Sequence, residues 1–237
     1  MTRDDANAQS LSSDVAQATP LFNDPAPLSR AVVIWLWVWL AAQTATGFAS
    51  LLYLTVLSSF PPETPISFDQ SPPELAVAEG VVGLVALAFV VAFLVSGFLV
   101  LKWIHRTNKN AHALSGYMDV SPGWNVGWFF VPFANLFKPF QGVREIWQVS
   151  HDPDDPGAVP VPPLLRWWWA LWLLTTFIDN FSFRLSMKEE TVSDAVVVAG
   201  LDIASSLFGI PLGLLLIAIV KRLTPAQVDA IRTSTFA

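Results

Sequence analysis

Four long apolar runs divide the chain. They cover residues 31–57, 81–104, 164–181 and 195–220, and the third is the shortest. A helix needs about 20 mostly apolar residues to cross a hydrocarbon core roughly 30 Å thick. The pattern therefore predicts an all-α membrane protein with four transmembrane helices.

A central aromatic segment, residues 122–150, lies between the second and third runs and follows a different pattern. Its stretch 127–137 is apolar, but Pro132 and Asn135 interrupt it. This length is too short for a crossing and is typical of a re-entrant or interfacial segment. Pro139 suits the first turn of a following amphipathic helix, and such a helix lies in the plane of the membrane interface. We therefore expect a re-entrant or interfacial helical segment on the cytoplasmic side.

Two tails flank the predicted transmembrane domain, which spans residues 31–222. Residues 1–30 are rich in Ala, Ser, Asp and Pro. Such a composition buries too little apolar area to offset its ordering entropy, so we predict a disordered cytoplasmic tail. Residues 223–237 form a second, short cytoplasmic tail.

The positions of the basic residues predict the orientation of the helices. Of the 13 Lys and Arg residues, eleven lie near the two termini or in the stretch from the end of the second run to the start of the third run, and two lie between the third and fourth runs. Cytoplasmic loops carry an excess of Lys and Arg. Both termini and the central segment are therefore expected in the cytoplasm.

Composition excludes several classes of function. Only 14% of the residues are charged, against about 25% in soluble domains. A net charge of −6 without a clustered basic face does not suit nucleic-acid binding. The chain has no cysteine, and His105 and His112, two of its three histidines, lack carboxylate or cysteine companions at metal-ligand spacing. We therefore predict no metal site, no cofactor and no catalytic residue.

Asp202 is the one ionisable residue that the pattern places well inside a span. It begins a stripe of small residues, continued by Ser205, Gly209 and Gly213, that suits close helix packing. Gln43 in the first run is expected at a similar depth, so we hypothesise that the two share a hydrogen-bond network. Two interpretations stay open: Asp202 is a hydrogen-bonded packing residue, or it is a proton or cation site.

A polar and aromatic stripe continues the second helix beyond the membrane. Its members, at helical spacing, are Trp103, Arg106, Asn110 and Leu114. This stripe is expected to cover the central segment, with Glu145 as a candidate ion partner for Arg106 or Arg144. Asn135 and Lys138 complete the candidate polar sites.

One long motif runs through this part of the chain. It consists of Trp103, Arg106, Asn110, Ala111, Leu114, Ser121, Pro122, Gly123, Trp124, Gly127, Trp128, Pro132, Asn135, Leu136, Lys138, Pro139, Arg144, Glu145, Ile146 and Trp147. It resembles the DUF4328 family of bacterial integral membrane proteins of unknown function, over roughly residues 31–222. The resemblance implies a multi-pass protein of the bacterial inner (plasma) membrane. It supplies no catalytic or ligand residues.

Three functions are compatible with these observations. The first is a non-enzymatic scaffold or sensor that lies in the lipid bilayer and meets a cytoplasmic protein partner. The alternative is a small transporter or channel component that uses the re-entrant segment and Asp202. Because four helices enclose little pore volume, that alternative requires a homo-oligomer. A third is an enzyme acting on lipid headgroups through Arg106, Lys109 and Lys138.

Overall fold

The structure, a computed structural model, describes residues 22–66 and 71–236. Its α-helices in this part of the chain are α1 (Ala26–Leu57), α2 (Pro73–Leu114), α3 (Pro122–Gly127), α4 (Lys138–His151), α5 (Pro163–Ser186) and α6 (Val192–Phe236). Short 3₁₀ turns form at Trp128–Phe130, Ala134–Leu136 and Pro156–Ala158. No strand occurs in these ranges, where an isolated antiparallel bridge joins Pro65 to Thr191. The all-α prediction is confirmed.

Prolines mark where five of these helices begin. The first or second helical position is occupied by Pro27 in α1, Pro73 in α2, Pro122 in α3, Pro139 in α4 and Pro163 in α5. Their fixed φ suits the first turn, where a missing N–H removes no intrahelical bond.

The four long helices pack side by side, with α2 against α1, α1 against α6, and α6 against α5. One end of this arrangement, here the α4 end, holds α3 and α4 with the start of α1 and the ends of α2 and α6. There, Trp103 of α2 donates its Nε1–H to Thr224 Oγ1 of α6 at 3.1 Å. At the other end, here the hairpin end, the α1–α2 and α5–α6 connections meet. Ile66 N donates to Glu190 O at 2.9 Å, and Val192 N to Thr64 O at 3.0 Å.

Three helices are long and apolar enough to cross a membrane: Ala26–Leu57, Pro73–Leu114 and Val192–Ser234. They indicate a multi-pass membrane protein. The predicted third span lies in α5, which falls outside this set and contains the polar residues Arg166, Asp179 and Asn180 among its apolar ones.

The structure places the ends of the helical domain differently from the two predicted tail boundaries. Helix α1 begins at Ala26, and the backbone of Asn23 is already hydrogen-bonded to α2. The disorder predicted for residues 1–30 therefore does not hold from residue 23 onward, and residues 1–21 lie outside the described ranges. Helix α6 continues through Pro211 and Pro225 to Phe236, so most of the predicted tail 223–237 is helical.

Helix α4 also differs from its prediction. It does not lie on the surface, because its polar residues Glu145, Gln148 and Ser150 are buried along with the apolar Val143 and Ile146. The polar continuations of α2 and α6 cover the face that sequence pattern alone assigns to water. Only the stretch before α4 is largely exposed.

Candidate functional site

A buried polar core joins the segments of the α4 end. Asn110 Nδ2 donates to Asn23 O at 2.8 Å and to Gln227 Oε1 at 3.1 Å, while its Oδ1 accepts from Asn23 N at 3.1 Å. Gln227 Nε2 donates to Thr107 O at 2.9 Å and to Ser150 Oγ at 3.2 Å. These bonds connect α2, α4, α6 and the segment before α1. Buried amides of this kind stabilise only when they are satisfied, and here both are.

Glu145 is a second anchor of the polar core. Its side chain is 2% exposed and accepts from Asp119 N and Val120 N, each at 3.1 Å, and from Gln141 Nε2 at 2.9 Å. The carboxylate thereby holds the turn after α2 against α4. Three N–H donors, and not a cation, compensate its burial.

The predicted ion pairs of Glu145 are therefore wrong. Arg106 Nη1 donates instead to the backbone oxygen of Asp24 at 3.1 Å. Arg144 is half-buried, and its Nε has no hydrogen-bond partner. Within residues 22–66 and 71–236, the ion pair present is the exposed Asp229–Arg232 contact at 3.8 Å.

The other two candidates of the central segment make local contacts. Asn135 Nδ2 donates to Phe129 O at 3.4 Å, and Lys138 Nζ donates to Gln141 Oε1 at 3.1 Å. The stretch rests on the start of α5. Trp169 Nε1 donates to Leu136 O at 3.0 Å, and Phe129 meets the Trp169 ring edge-on at 6.5 Å between centroids.

An exposed aromatic surface projects from this stretch; its members are Trp124, Phe130, Phe133 and Phe137. Phe133 is 82% exposed and has φ 62° and ψ −45°. Ala134 N donates to Pro132 O at 2.8 Å across it, which makes a γ-turn of the rare positive-φ form. A bulky residue in this conformation is strained, and such strain concentrates at functional surfaces.

A separate set of polar residues, here called the Asp–Ser seam, connects α5 to α6 on the side toward the hairpin end. Ser182 Oγ of α5 donates to Asp202 Oδ1 of α6 at 2.8 Å. Reciprocally, Ser205 Oγ of α6 donates to Asp179 Oδ1 of α5. The same Asp-x-x-Ser spacing occurs in both helices. Because the helices are antiparallel, each carboxylate faces the other helix's serine.

Asp179 is a site residue that sequence reasoning missed. It lies near the end of the predicted third span, where sequence reasoning considered no acidic residue besides Asp202. The available signal was the repeated Asp-x-x-Ser pattern in two consecutive helices. The structure brings these two carboxylates to adjacent positions on one seam.

Gln43 lies outside this seam, contrary to the hypothesised network with Asp202. Its Nε2 donates to Ser206 Oγ at 3.5 Å, and Ser206 Oγ donates to Gln43 O at 3.1 Å. Ser206 follows Asp202 by four residues, or about 6 Å along the helix. Gln43 therefore lies about one turn away from Asp202, on the α1 side of α6.

The glycines in the small-residue stripe of α6 pack closely, as predicted, and their neighbours lie on α1. A Cβ added at Gly209 would lie 2.7 Å from Gln43 Nε2, and one at Gly213 would lie 2.7 Å from Leu40 Cδ2. The side chain of Ser205 instead faces α5. Only residues without a side chain allow α1 and α6 to approach this closely.

Acidic groups gather at the hairpin end. Burial raises the pKa of Glu189, and the nearby charges of Glu79, Asp194 and Asp202 raise that pKa further. Among the described residues, no grouping of three or more His, Asp or Glu side chains is suited to hold a metal ion.

The architecture defines the class of the protein: it is a multi-pass, all-helical membrane protein with a buried polar core at one end. The chain belongs to the DUF4328 family, since residues 68–225 match the domain of unknown function of that name. The family resemblance noted from the motif is thereby confirmed. No curated protein and no solved structure matches the chain. The matched range contains Glu145, Asn110 and the whole Asp–Ser seam, but neither Gln43 nor Gln227.

Proposed function

We propose that this protein is a non-enzymatic scaffold of the bacterial cell membrane, with four spans and the α4 end in the cytoplasm. Helix α5 is the span proposed in addition to the three apolar helices, because it runs between the same two ends as they do. Trp169 near its start bonds to Leu136 at the α4 end, and Ser182 near its end bonds to α6. Its 24 residues are about 36 Å long, which is enough for a hydrocarbon core of roughly 30 Å.

The charge distribution supports the orientation. Arg184 and Lys188 are the basic residues near the hairpin end, and the other eleven of the 13 lie toward the α4 end or in its tails. An excess of Lys and Arg is typical of the cytoplasmic side.

The strained, exposed Phe133 is the observation that carries the scaffold proposal. The stretch that carries Phe133 is held against the start of α5, where Trp169 Nε1 donates to Leu136 O at 3.0 Å. The aromatic surface itself remains exposed. Aromatic side chains dominate the energetics of protein–protein contacts, and an exposed apolar patch marks an interaction site. We infer that a cytoplasmic protein partner binds here.

Photo-crosslinking tests this proposal. A photoreactive phenylalanine analogue is placed at Phe133 in cells, with a matched probe at Phe98, which is also exposed but lies on the apolar length of α2. We expect a discrete protein adduct at position 133 and none at position 98. Lipid adducts alone at both positions would contradict a protein-binding scaffold.

Single cysteines test the topology, because the chain has none of its own. Glu63→Cys reports on the hairpin end and Gly116→Cys on the α4 end, and both positions are exposed. We expect a membrane-impermeant maleimide to label position 63 from outside intact cells and position 116 only after lysis. Labelling of both from outside would overturn the orientation.

The Asp–Ser seam favours a second candidate, an oligomeric transporter or channel component. Asp179 is exposed on the side of α5, although it lies in the predicted third span. A carboxylate facing lipid is costly, so intramembrane acids usually face protein or water. A second copy of the chain at α5 would supply that environment. Proton flux into proteoliposomes that is abolished by Asp179→Asn and unchanged by the loop variant Asp154→Asn would support it. Equal flux in empty vesicles would exclude it.

A further inference from the structure

A groove of ≈600 Å³ opens between the start of α1 and the last third of α6 at the α4 end. Its lining includes Arg30, Val33 and Ile34 from α1 and Val220, Lys221 and Arg232 from α6. The volume falls within the roughly 300–1,000 Å³ typical of small-ligand sites. Two distant parts of the chain thus contribute basic and apolar groups to one concave surface.

The order of these residues along the membrane normal is the decisive feature. Arg30 directly precedes the apolar run 31–57, and Lys221 directly follows the apolar run 195–220. Both cations therefore lie where hydrocarbon gives way to headgroups, while Val33, Ile34 and Val220 lie on the hydrocarbon side. The groove thus offers positive charge above an apolar wall, which is the arrangement of an anionic phospholipid.

The charges are available to a ligand. Arg30 and Lys221 are exposed and form no ion pair with any described residue. Asp229 also lines the groove and approaches Arg232 at 3.8 Å, but both side chains are mostly exposed, so that contact is weak. Three cations against one carboxylate leave the groove with two net positive charges.

We propose that this groove binds one anionic phospholipid. The guanidinium of Arg30 and the ammonium of Lys221 contact its phosphate, and its acyl chain lies along Val33 and Ile34. Basic pockets between membrane helices are suited to anionic headgroups, and guanidinium groups bind phosphate oxygens through two parallel hydrogen bonds. The proposal is independent of the scaffold function, because it needs neither the aromatic surface nor a protein partner.

Native mass spectrometry of the full-length protein in detergent tests it. The probes are phosphatidylglycerol and phosphatidylcholine with identical acyl chains. We expect the wild type to prefer phosphatidylglycerol, and we expect R30Q/K221Q to weaken that binding about tenfold. The matched control K102Q/R166Q removes two exposed basic residues of the same end that lie outside the groove, and it should bind like the wild type.

Further variants separate charge from local packing and a lipid from free phosphate. The charge-conserving variant R30K/K221R should retain the preference, and inorganic phosphate should not displace the bound lipid. Equal binding of the two lipids would overturn the proposal. So would equal losses in the groove and control variants, loss of binding in R30K/K221R, or displacement by inorganic phosphate.

Discussion

The polar core of the α4 end and the Asp–Ser seam both join helices through polar side chains, but they satisfy those side chains differently. In the core, Glu145 accepts three hydrogen bonds and Asn110 makes three. In the seam, each carboxylate accepts one hydrogen bond from a serine. A carboxylate offers about four acceptor sites. The core is therefore built for stability, whereas the seam keeps acceptor capacity that a cation, water or second subunit can use.

Glu145→Ala is the strongest test of this contrast. Removing the carboxylate leaves the N–H groups of Asp119 and Val120 without their acceptor, so we expect a loss of about 3–5 kcal/mol in the free energy of unfolding. Asp202→Ala should cost only about 1–2 kcal/mol, because Ser182 can donate to the backbone of its own helix. Chemical unfolding in detergent micelles measures both.

The exposed Glu63→Ala serves as the control and should leave stability unchanged. If Glu145→Ala behaves like this control, the polar core does not stabilise the fold as described.

Glycine substitutions test whether the α1–α6 contact between these two regions depends on close packing. Gly213→Ala places a Cβ 2.7 Å from both Leu40 and Trp39 atoms, and overpacking of this kind costs about 1–3 kcal/mol. Gly200→Ala is the matched change in the same helix, with no atom within 4 Å of the added Cβ. It should be neutral or stabilise by up to about 1 kcal/mol, since alanine favours the helix. Of these two positions, Gly213 lies in the contact between α1 and α6 and Gly200 does not. Equal melting temperatures for the two variants would therefore argue against the close approach of the helices.

Double-mutant cycles compare the two polar regions directly. For Asn110→Ala with Gln227→Ala we expect a coupling energy of about 1–2 kcal/mol, because each amide satisfies the other within a buried network. For Ser182→Ala with Asp202→Ala we expect about 0.6 kcal/mol, the average for hydrogen bonds between membrane helices. A larger coupling at the seam than in the core would reverse the comparison.

The pH dependence of stability gives the smallest expected effect. The folded chain raises the Glu189 pKa above its ordinary value of 4.5 and so binds this proton more tightly than the unfolded chain. The resulting stabilisation is complete below the ordinary pKa and is lost as the pH rises through the folded value. Glu189→Gln should remove this part of the pH dependence, whereas the exposed neighbour Glu190→Gln should preserve it. Melting temperatures recorded between about pH 4 and pH 7 test this; identical profiles for wild type and Glu189→Gln would refute it.

Sequence pattern alone predicted the helical class, the continuation of α2 past residue 104, the close packing of Gly209 and Gly213, and the family. Each of these depends on residues that are near one another in sequence. The length of an apolar run predicts a membrane span, and residues at helical spacing share one face of a helix. A local motif identifies the family. The burial of α4 was not predictable in this way, since an amphipathic helix has the same pattern whether water or a polar helix covers its polar face.

Partner choice was decided only by the tertiary structure. Each residue turns an α-helix by about 100° and advances it by about 1.5 Å. A shift of one helix by a single turn along its neighbour therefore changes which side chains of the two helices meet. For this reason Gln43 was predicted to share hydrogen bonds with Asp202, whereas in the structure it bonds with Ser206. The same dependence kept the Asp179–Ser205 contact hidden until α5 and α6 were placed side by side. Glu145 likewise found backbone N–H groups in place of an arginine, because the turn after α2 folds back onto α4. The sequence by itself determined where the long helices lie, though not where they end, and which of their faces are polar. Packing determined the rotation and height of each helix, and with them every contact of the candidate site.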